Sequence, residues 1–475
     1  MDRHQETIVE LACYEPAGQS VPMTEADILG HTLVTGGSGS GKTTRVVYPM
    51  LRQLIELRAS DSTSKPGLCV LDTKADGEAE ALLRKTCLEA GRKSDLHVVN
   101  CDNGGCIDLL NPVKREGLKG LKAVADLLSS STPTSESNRY WEITFASLIL
   151  LALRLYHLTE DDPNYDGMVE FMRRYLLQFD IMNSSLKAKV RELLESDEDD
   201  YEPEINDIVN ETIAAHKMWS ILDLRTRSIF QSMAAPLIEG LSNPAARRIF
   251  SEGRPFDMEK VTTDGAVVLL SVDAIRDPEV AAMATTVAKG QIYERILERK
   301  FREKVSHRLA GLVVDDWPLC ATGGINSRYS DVSALSMIRS RGGFVLAATQ
   351  GTAALDLRIG VNSRRAAMSN FANLFFLRGR DAELDTYAAA YFGEKRRVHV
   401  DRTVNDQTPS ATRKDYPILY ERETFVPAVP VGSLARLPLG EAYALIGGDI
   451  YTQPLCLVPE YAPQQEQKED NEQIL

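Results

Sequence analysis

Seven short, largely apolar runs recur along the chain, separated by helical or glycine-rich stretches. They predict buried strands at His31 to Thr35, Gly67 to Leu71, Leu96 to Val99, Ala266 to Ser271, Leu309 to Val314, Gly343 to Ala348 and Asn373 to Leu377. Continuous apolar strands that alternate with helices indicate a parallel sheet covered on both faces. The predicted fold class is α/β, with a mainly parallel central sheet built from both ends of the chain.

The hydrophobic period changes in the middle of the sequence. From Tyr140 to Leu224 apolar residues such as Trp141, Phe145 and Leu148 recur at helical spacing, and few strand signals are present. This block is expected to be an all-alpha insertion. The predicted division is an α/β domain in two parts, 1–139 and 225–458, an all-alpha insertion domain at 140–224, and an acidic tail at 459–475 that is expected to be disordered.

Length and composition are those of a globular protein. The chain has 475 residues, 43% of them hydrophobic and 26% charged, which is enough for two or three structural units. Met1 to Ala17 lacks the apolar core of a signal peptide. The longest apolar stretch, Phe145 to Tyr156, falls short of the roughly 20 residues that span a bilayer. A cytoplasmic protein is expected, at most peripheral at the inner membrane.

The seven cysteines are scattered and indicate neither a zinc site nor a disulfide framework. The one close pair, Cys101 and Cys106, has four residues between its members and no second Cys or His pair nearby. That spacing is poor for zinc, and an odd count disfavours a disulfide framework.

Negative charge is concentrated in two runs. The net charge is −14, and Glu192 to Glu204 holds eight acidic residues and no basic one. Pro459 to Leu475 adds a net −4, so the remaining chain is near −2. Both runs are typical of solvated loops or tails, and a docking site for a basic partner is the alternative. A nearly neutral body can still carry a basic lining on one face or in a pore.

A glycine-rich turn follows the first predicted buried strand and opens a helix pattern from Thr43 to Leu57. It fits G-x-x-x-x-G-K-[ST] in full, the pattern of a loop whose backbone N–H groups cradle phosphates. Lys42 would reach the β- and γ-phosphates and Thr43 would ligate Mg²⁺. The residues expected to bind ATP are Gly36, Gly37, Ser38, Gly39, Ser40, Gly41, Lys42, Thr43 and Thr44.

Hydrolysis of ATP also needs acidic side chains near the phosphates, at the end of a second strand. The strand Leu309 to Val314 ends on Asp315 and Asp316, which would lie beside the phosphates if this strand neighbours the P-loop strand. Asp315 would hold Mg²⁺ and Asp316 would polarise the attacking water. A pair that only caps the next turn is the structural alternative. Asp72 also ends a strand, and sequence position alone does not separate it from Asp315.

Three further polar residues are candidates for the reaction. Gln350 ends the strand that follows the acidic pair, where an amide could sense the γ-phosphate or orient water. Arg339 and Arg341 precede that strand, and either could reach a neighbouring subunit's γ-phosphate. An exposed arginine that interacts with a helix dipole is an equally good interpretation of each.

Taken in order, these motifs resemble the TraG/TraD family of type IV secretion coupling proteins, within the FtsK/HerA superfamily of DNA-pumping ATPases. The landmarks run from Ile28 to Tyr461 and are His31, Asp72-Thr73-Lys74, Leu110-Asn111-Pro112-Val113, Tyr140-Trp141-Glu142, Arg254-Pro255-Phe256-Asp257, Asp315-Asp316 and Ala348-Thr349-Gln350. The resemblance implies a RecA-like fold, a hexamer around a central channel, and nucleotide roles for Lys42, Thr43, Asp315, Asp316 and Gln350. It also favours Asp315 over Asp72.

The sequence departs from the family pattern in three places. Family members begin with transmembrane helices, whereas this sequence starts almost directly at the ATPase, so membrane contact is expected only through a partner. Asp316 stands where glutamate is usual. The family's Asp-x-Lys-Gly-Glu pattern is broken at Asp72 to Glu78, so Lys74 is given no catalytic role.

The leading functional hypothesis is an ATPase that delivers DNA, bound without sequence specificity, together with a relaxase or other secretion substrate, to type IV secretion channel components. Arg364-Arg365 and Lys395-Arg396-Arg397 are the candidate DNA contacts, although solvated surface patches are more common. An adaptor ATPase that recruits protein substrates without DNA is the alternative. A nucleotide-gated switch in a defence complex is the third hypothesis.

Overall fold

The computed structural model describes residues 7–14, 19–102, 104–131, 139–178, 203–299, 308–323, 329–403 and 418–457. All but the last two residues of the acidic run Glu192 to Glu204 lie outside these ranges, as does the whole acidic tail. The interpretations of both runs therefore stay predictions. Within the described ranges, every helix is too short or too polar to cross a membrane.

The described residues form thirteen strands. These are β1 Thr7–Tyr14, β2 Gln19–Thr24, β3 Thr32–Thr35, β4 Gly67–Asp72, β5 Leu96–Asn100, β6 Val267–Ser271, β7 Ala310–Val314, β8 Gly343–Thr349, β9 Asn373–Leu377, β10 Glu394–Thr403, β11 Ile418–Pro427, β12 Glu441–Ile446 and β13 Asp449–Leu457.

Eleven of these strands make one sheet in the order β2-β1-β13-β12-β9-β3-β8-β7-β4-β6-β5. The strands from β9 to β5 in that order are all parallel to their neighbours. Those seven are the strands that the apolar runs predict, so the predicted α/β class is confirmed. The remaining four strands extend the sheet in antiparallel fashion from β9. Strands β10 and β11 pair separately as a hairpin.

Helices connect the parallel strands and cover both faces of the sheet. They are α1 Glu25–Leu29, α2 Tyr48–Glu56, α3 Glu78–Glu89, α4 Asn111–Glu116, α5 Leu121–Ser130, α6 Arg139–Thr159, α7 Tyr165–Arg173, α8 Pro203–Ser220, α9 Leu224–Ser242, α10 Pro244–Phe250, α11 Glu259–Thr263, α12 Pro278–Leu297, α13 Trp317–Cys320, α14 Asp331–Ile338, α15 Thr352–Ile359, α16 Val361–Met368 and α17 Ala382–Phe392.

Two hydrophobic cores lie on opposite faces of the sheet. Successive residues of β4 alternate between them: Leu68 and Val70 belong to one core, Cys69 and Leu71 to the other. This alternation follows from the two-residue period of a strand, and it explains why the central strands are apolar without a break. Each central strand is therefore held in register by burial on both sides.

Helices fill the chain between β5 and β6. Among the described residues from Asn100 to Val267, only isolated bridges at Gly105, Cys106 and Pro255 interrupt the helical and loop structure. Helix α6 packs against α5, α7 and α8, and α9 packs against α7 and α12. Helical structure thus continues beyond Leu224, and the predicted domain limits at 140 and 224 stay predictions.

A buried ion pair joins three helices below the sheet's carboxyl edge. The Lys289 ammonium, on α12, lies 2.9 Å from Asp331 Oδ2 at the start of α14, and both side chains are fully buried. Asp331 also accepts hydrogen bonds from the Trp317 indole at 3.0 Å and the Tyr293 hydroxyl at 2.8 Å. These bonds satisfy the buried carboxylate and fix α13, which directly follows Asp316, against α12 and α14.

His31 occupies the amino end of β3. Its backbone is left-handed, with φ of 61°, and its ring is buried. The Val345 N–H donates to His31 Nδ1 at 3.2 Å, so the ring proton is on Nε2, which donates to the Leu335 carbonyl at 2.9 Å. Burial lowers the pKa of His31 to about 4, with a smaller contribution from the Arg339 charge. The ring is therefore held neutral where α14, β3 and β8 meet.

Acidification should destabilise the fold through His31. Between pH 6.5 and about 4 the unfolded chain binds a proton on His31 that the folded protein does not, so stability falls as pH drops through this window. The full loss is roughly 3 kcal/mol, from the size of the pKa difference. Urea unfolding of wild type and His31→Asn at pH 6.5 and 4 should show a smaller pH-dependent loss in the variant. Equal losses would contradict this, and exposed His399→Asn serves as the control.

Candidate nucleotide site

The glycine-rich turn joins β3 to α2 at the carboxyl edge of the sheet. The Gly37 N–H donates to the Arg378 carbonyl at 2.8 Å, and the Gly36 N–H donates to the Thr349 carbonyl at 3.3 Å. Gly41 has φ of 96°, which L side chains rarely adopt, and the chain then enters a π-helical turn, Thr43–Val47, ahead of α2. The loop is thus tied to β8 and to the end of β9 while its outer surface stays open.

The open side of the loop has the properties of a phosphate cradle. A Cβ added at Gly39, where φ is 70°, would meet no atom within 4 Å, so this side of the loop has room for a ligand. Ser40 Oγ is buried and has no hydrogen-bond partner among the described residues. An unpaired buried hydroxyl at a helix N-terminus suits an anion, because hydroxyl and backbone N–H donors can both point at it.

Lys42 is held inside the loop. Its ammonium donates to the Gly36 carbonyl at 2.7 Å and to the Gly37 carbonyl at 3.0 Å. Burial lowers the pKa of Lys42, and the charge of Asp315 opposes this shift. The side chain therefore lies beside the cradle, bound only to carbonyl groups that a phosphate can replace. Thr44, the last predicted binding residue, is exposed next to it.

Thr43 and Asp315 are brought into direct contact. The Thr43 hydroxyl donates to Asp315 Oδ1 at 2.7 Å. The sequence analysis placed Asp315 beside the phosphates on the condition that its strand neighbours the P-loop strand, and that condition is not met, because β8 lies between β3 and β7. The contact still forms because all three strands are parallel and end at the same edge. A hydroxyl and a carboxylate oxygen are ligands that Mg²⁺ prefers, so this pair fits the metal.

Asp316 faces the same region from the next position along the chain. Burial raises the pKa of Asp316, and the Asp315 charge raises it further, against the lowering effects of Lys74 and Lys42. No hydrogen bond joins its carboxylate to another described residue. The carboxylate is therefore a stronger base than an exposed aspartate and keeps its lone pairs available.

Asp72 has a structural role at the end of β4. Its Oδ1 accepts hydrogen bonds from the Lys74 N–H at 3.1 Å and the Ala75 N–H at 3.4 Å, and its Oδ2 accepts from Ser271 Oγ at 2.9 Å. Both carboxylate oxygens are thus used within the turn after β4 and the adjacent strand. The contact with Thr43 belongs to Asp315 instead.

The sequence analysis missed one residue of this region, Lys74. Its ammonium donates a short hydrogen bond to Asp315 Oδ2 and lies 3.5 Å from Thr43 Oγ1. Burial tends to lower the pKa of Lys74, but the bond to Asp315 and the nearby acidic charges raise it overall. The Asp72-Thr73-Lys74 landmark could have pointed to this lysine. The sequence analysis set it aside because the Asp-x-Lys-Gly-Glu pattern is broken after Lys74.

Gln350 lies where the sequence predicts. It directly follows β8, the strand between the P-loop strand and the Asp315 strand, and its side chain is exposed. The amide therefore borders the space between the cradle and the two carboxylates.

Arg339 and Arg341 lie at the opposite edge of the sheet. They form a 3₁₀ turn that ends just before β8 begins, and Arg339 is exposed while Arg341 is partly buried. A strand of seven residues separates this edge from Gln350, about 20 Å at the usual rise. Neither arginine can reach the cradle of its own chain.

The two predicted basic clusters have different environments. Arg364 is buried and paired with Asp356 and Glu383, so the prediction that it could contact DNA is wrong. Its charge is used to hold α15, α16 and α17 together. Lys395, Arg396 and Arg397 are all exposed on β10.

One family model matches part of the chain. Residues 329–438 match the model described as the TraM recognition site of TraD and TraG. This segment includes Arg339, Arg341, Gln350 and the described strands of the β10–β11 hairpin. No curated protein sequence matches the chain.

Several solved structures share the fold. The unbound bacterial conjugative coupling protein TrwB, lacking its N-terminal 70 residues as its name indicates, is 15% identical with a TM-score of 0.64, over 96% of this chain and 89% of that one. TrwB in complex with ADP and Mg²⁺ is 15% identical with a TM-score of 0.63, over 97% and 92%. VirB4 of Thermoanaerobacter pseudethanolicus is 13% identical with a TM-score of 0.52, over 97% and 98%.

These matches confirm the predicted fold and agree with the predicted family over one segment of the chain. The match to the C-terminal family model agrees with the motifs from which the TraG/TraD resemblance was inferred. The structural likeness shows the RecA-like P-loop fold that the resemblance implied.

Proposed function

We propose that this chain, a TraG/TraD-type protein by its motifs, its C-terminal segment and its fold, is an ATP-hydrolysing motor that delivers DNA to a type IV secretion channel. The observation that carries the ATPase part is the hydrogen bond from Thr43 at the P-loop to Asp315 at the end of β7. It joins the two nucleotide motifs of the sequence in one place.

ATP and Mg²⁺ are the proposed ligands. TrwB, which shares this fold, has structures in complex with ADP and Mg²⁺ and with non-hydrolysable GTP and ATP analogues. The loop N–H groups and Lys42 would hold the phosphates, and Thr43 and Asp315 would hold the metal. When bound there, Mg²⁺ neutralises negative charge on the phosphate oxygens.

Asp316 and Gln350 are the proposed catalytic side chains. Asp316 accepts a proton from the attacking water, a role that its raised pKa and available lone pairs support. Gln350 orients that water from the neighbouring strand end. Aspartate is one methylene shorter than the glutamate usual in the family, so the water must lie correspondingly closer to β7.

Turnover measurements on purified protein test these roles. Lys42→Ala should lose nucleotide binding and turnover, whereas Asp316→Asn should still bind ATP but turn it over about 10²- to 10⁴-fold more slowly, because only the proton acceptor is removed. Gln350→Ala should reduce kcat with little change in KM. Single- and double-stranded DNA should raise the wild-type rate, and this effect should fade with salt.

The same experiment separates the three hypotheses. Turnover that depends on Lys42 but ignores DNA would favour an adaptor for protein substrates. Binding of ATP without turnover would favour a nucleotide-gated switch. Exposed Lys85→Ala is the matched control, because Lys85 lies on α3, away from the cradle.

We place the complete site between subunits of a ring, with a hexamer as the expected assembly. Arg339 supports this, because it is exposed at the edge of the sheet opposite its own cradle, where only a neighbouring subunit's phosphate could meet it. Arg341 is the less exposed of the two, so Arg339 is the preferred trans-acting residue.

Mixing two inactive variants tests the trans arrangement. Arg339→Ala subunits keep an intact P-loop, and Lys42→Ala subunits keep an intact arginine, so mixed rings should regain a fraction of the turnover that each variant lacks alone. Rates are compared with the sum of the separate variants, with mass photometry to count subunits. A mixture no faster than that sum would contradict a trans role for Arg339, and exposed Lys85→Ala should behave as wild type.

The β10–β11 hairpin supports DNA as the partner. Strand pairing places Lys395, Arg397, His399 and Arg422 on one face, and all four are exposed. The opposite face carries exposed Val398 and Phe425 and the Arg396–Glu423 ion pair.

A cationic face is unusual in a chain with a net charge of −14. Neighbouring cations on one face repel each other, and phosphate groups relieve that repulsion while releasing their counterions. A two-stranded ribbon presents these side chains at regular spacing without base-edge specificity, which suits contact with the backbone of DNA.

Charge reversal on the hairpin tests this contact. Lys395→Glu with Arg397→Glu should weaken DNA binding about tenfold or more near 0.1 M salt, and should reduce the slope of log affinity against log salt by about two. Fluorescence anisotropy with labelled DNA measures both. Lys85→Glu with Lys93→Glu makes the same change in net charge elsewhere and should have a much smaller effect. Equal losses in the two double variants would contradict a hairpin contact.

A protein partner is the second candidate for the same segment. The hairpin belongs to the region whose family model is described as a TraM recognition site. A TraM-like accessory protein, or a relaxase, would then dock on residues 329–438 while DNA contacts the channel elsewhere. Unchanged DNA affinity in the hairpin variants would favour this arrangement.

A further inference from the structure

The contact between Lys74 and Asp315 places a cation at the candidate metal ligands. The ammonium donates to Asp315 Oδ2 and lies 3.5 Å from Thr43 Oγ1, while Thr43 itself bonds Asp315 Oδ1 at 2.7 Å. One positive group therefore contacts both residues that would hold Mg²⁺. A metal held by the same two side chains would need the volume that this ammonium takes.

The backbone of the turn after β4 fixes Lys74 in this place. Asp72 accepts hydrogen bonds from the N–H groups of Lys74 and Ala75, and Ala75 is left-handed with φ of 48°. These features reverse the chain at the carboxyl edge, so that the Lys74 side chain extends toward β7. Ser271 on β6 anchors Asp72 from the other side at 2.9 Å.

Solvent borders the Lys74 side chain. About half of its surface, 51%, is exposed, whereas only 16% of the Asp315 side chain is exposed. Rotation about the bonds of the lysine side chain would carry the ammonium into solvent without moving the turn. A backbone held by the turn and a side chain open to solvent are what a displaceable counterion requires.

The charges near the cradle explain why a counterion is useful. Asp315 and Asp316 are adjacent, and the charge of Asp315 already raises the pKa of Asp316. The Lys42 ammonium donates hydrogen bonds to two loop carbonyls. Among the described residues it makes no hydrogen bond to Asp315 or Asp316. Lys74 makes the direct contact that neutralises Asp315.

We propose that Lys74 competes with the divalent cation for the Thr43–Asp315 pair, and so sets the concentration of free Mg²⁺ at which the protein binds nucleotide tightly. This inference rests on the proposed function and concerns regulation of the same site. Lys74 leaves Asp315 when the metal arrives, and returns when the metal departs with the product. The residue is a positioning residue for the metal ligands and has no part in the chemical step.

Nucleotide affinity as a function of Mg²⁺ tests the competition. The probe is a fluorescent, non-hydrolysable ATP analogue, titrated onto the full chain at a series of free Mg²⁺ concentrations buffered with EDTA. Lys74→Met keeps the length of the side chain and removes its charge. The Mg²⁺ concentration at half effect should fall about three- to tenfold in this variant, because the metal no longer displaces a bound cation.

Three controls make the result specific. Lys74→Arg keeps the charge and should keep the wild-type Mg²⁺ midpoint. Lys85→Met removes a lysine on α3 that is exposed and away from Asp315, and should also leave the midpoint unchanged. Asp315→Asn should remove most of the Mg²⁺ dependence with either residue at position 74.

An unchanged midpoint in Lys74→Met, with nucleotide binding intact, would overturn the competition. Slower turnover of ATP with that unchanged midpoint would show instead that Lys74 acts on the phosphates. Failure of wild type to bind the analogue at any Mg²⁺ concentration would contradict the proposed function itself, so the two failures are distinguishable.

Discussion

The structure depends on one constraint: parallel strands that are buried on both faces end at the same edge of the sheet. Side chains that immediately follow those strands are then neighbours, however far apart they lie in the sequence. Residues 36–43, 72–74, 315–316 and 350 follow four such strands, and they meet at the carboxyl edge. Strand β8 lies between the P-loop strand and the Asp315 strand, but it ends at Thr349. Beyond that point the chain segments that follow β3 and β7 approach each other, and Thr43 contacts Asp315.

The buried pair Lys289–Asp331 extends this constraint from the sheet to the helices. Asp331 binds the Trp317 indole directly after the candidate catalytic Asp316, and it also begins α14, which leads to Arg339. Breaking a buried pair of this kind costs about 3 to 5 kcal/mol, since one charge is left without its partner. The turn that carries Asp316 and the helix that leads to Arg339 are therefore expected to move as one body. A change at one strand end is in this way mechanically connected to the opposite edge of the sheet.

The sequence predicted the parts of this protein that are governed by local pattern. The seven central strands are largely apolar runs because both of their faces are buried. The P-loop is recognisable because the spacing of its glycines and lysine rarely occurs outside phosphate-binding loops. The four antiparallel strands that extend the sheet were not predicted; β13, for example, is largely exposed along its first six residues and gives a weak signal on its own. The sequence left the order of strands within the sheet open, and only the tertiary structure shows that β8 lies between β3 and β7. Lys74 was missed for the same reason, because its role comes from a contact 241 positions away in the chain.

Charge placement connects the site to the assembly. Within one chain the cradle has two lysines and two adjacent carboxylates, so it is close to neutral before any ligand is considered. ATP brings more negative charge than one Mg²⁺ neutralises, and transfer of the γ-phosphate spreads that charge over exposed oxygens. Lys42 can supply one positive group from within the chain, and Arg339 lies about 20 Å away at the other edge. Lys74, the second lysine, is paired with Asp315, so under the proposed function a further positive group would come from a neighbouring subunit. Under the proposed function, a ring would therefore complete the active site as well as surround DNA.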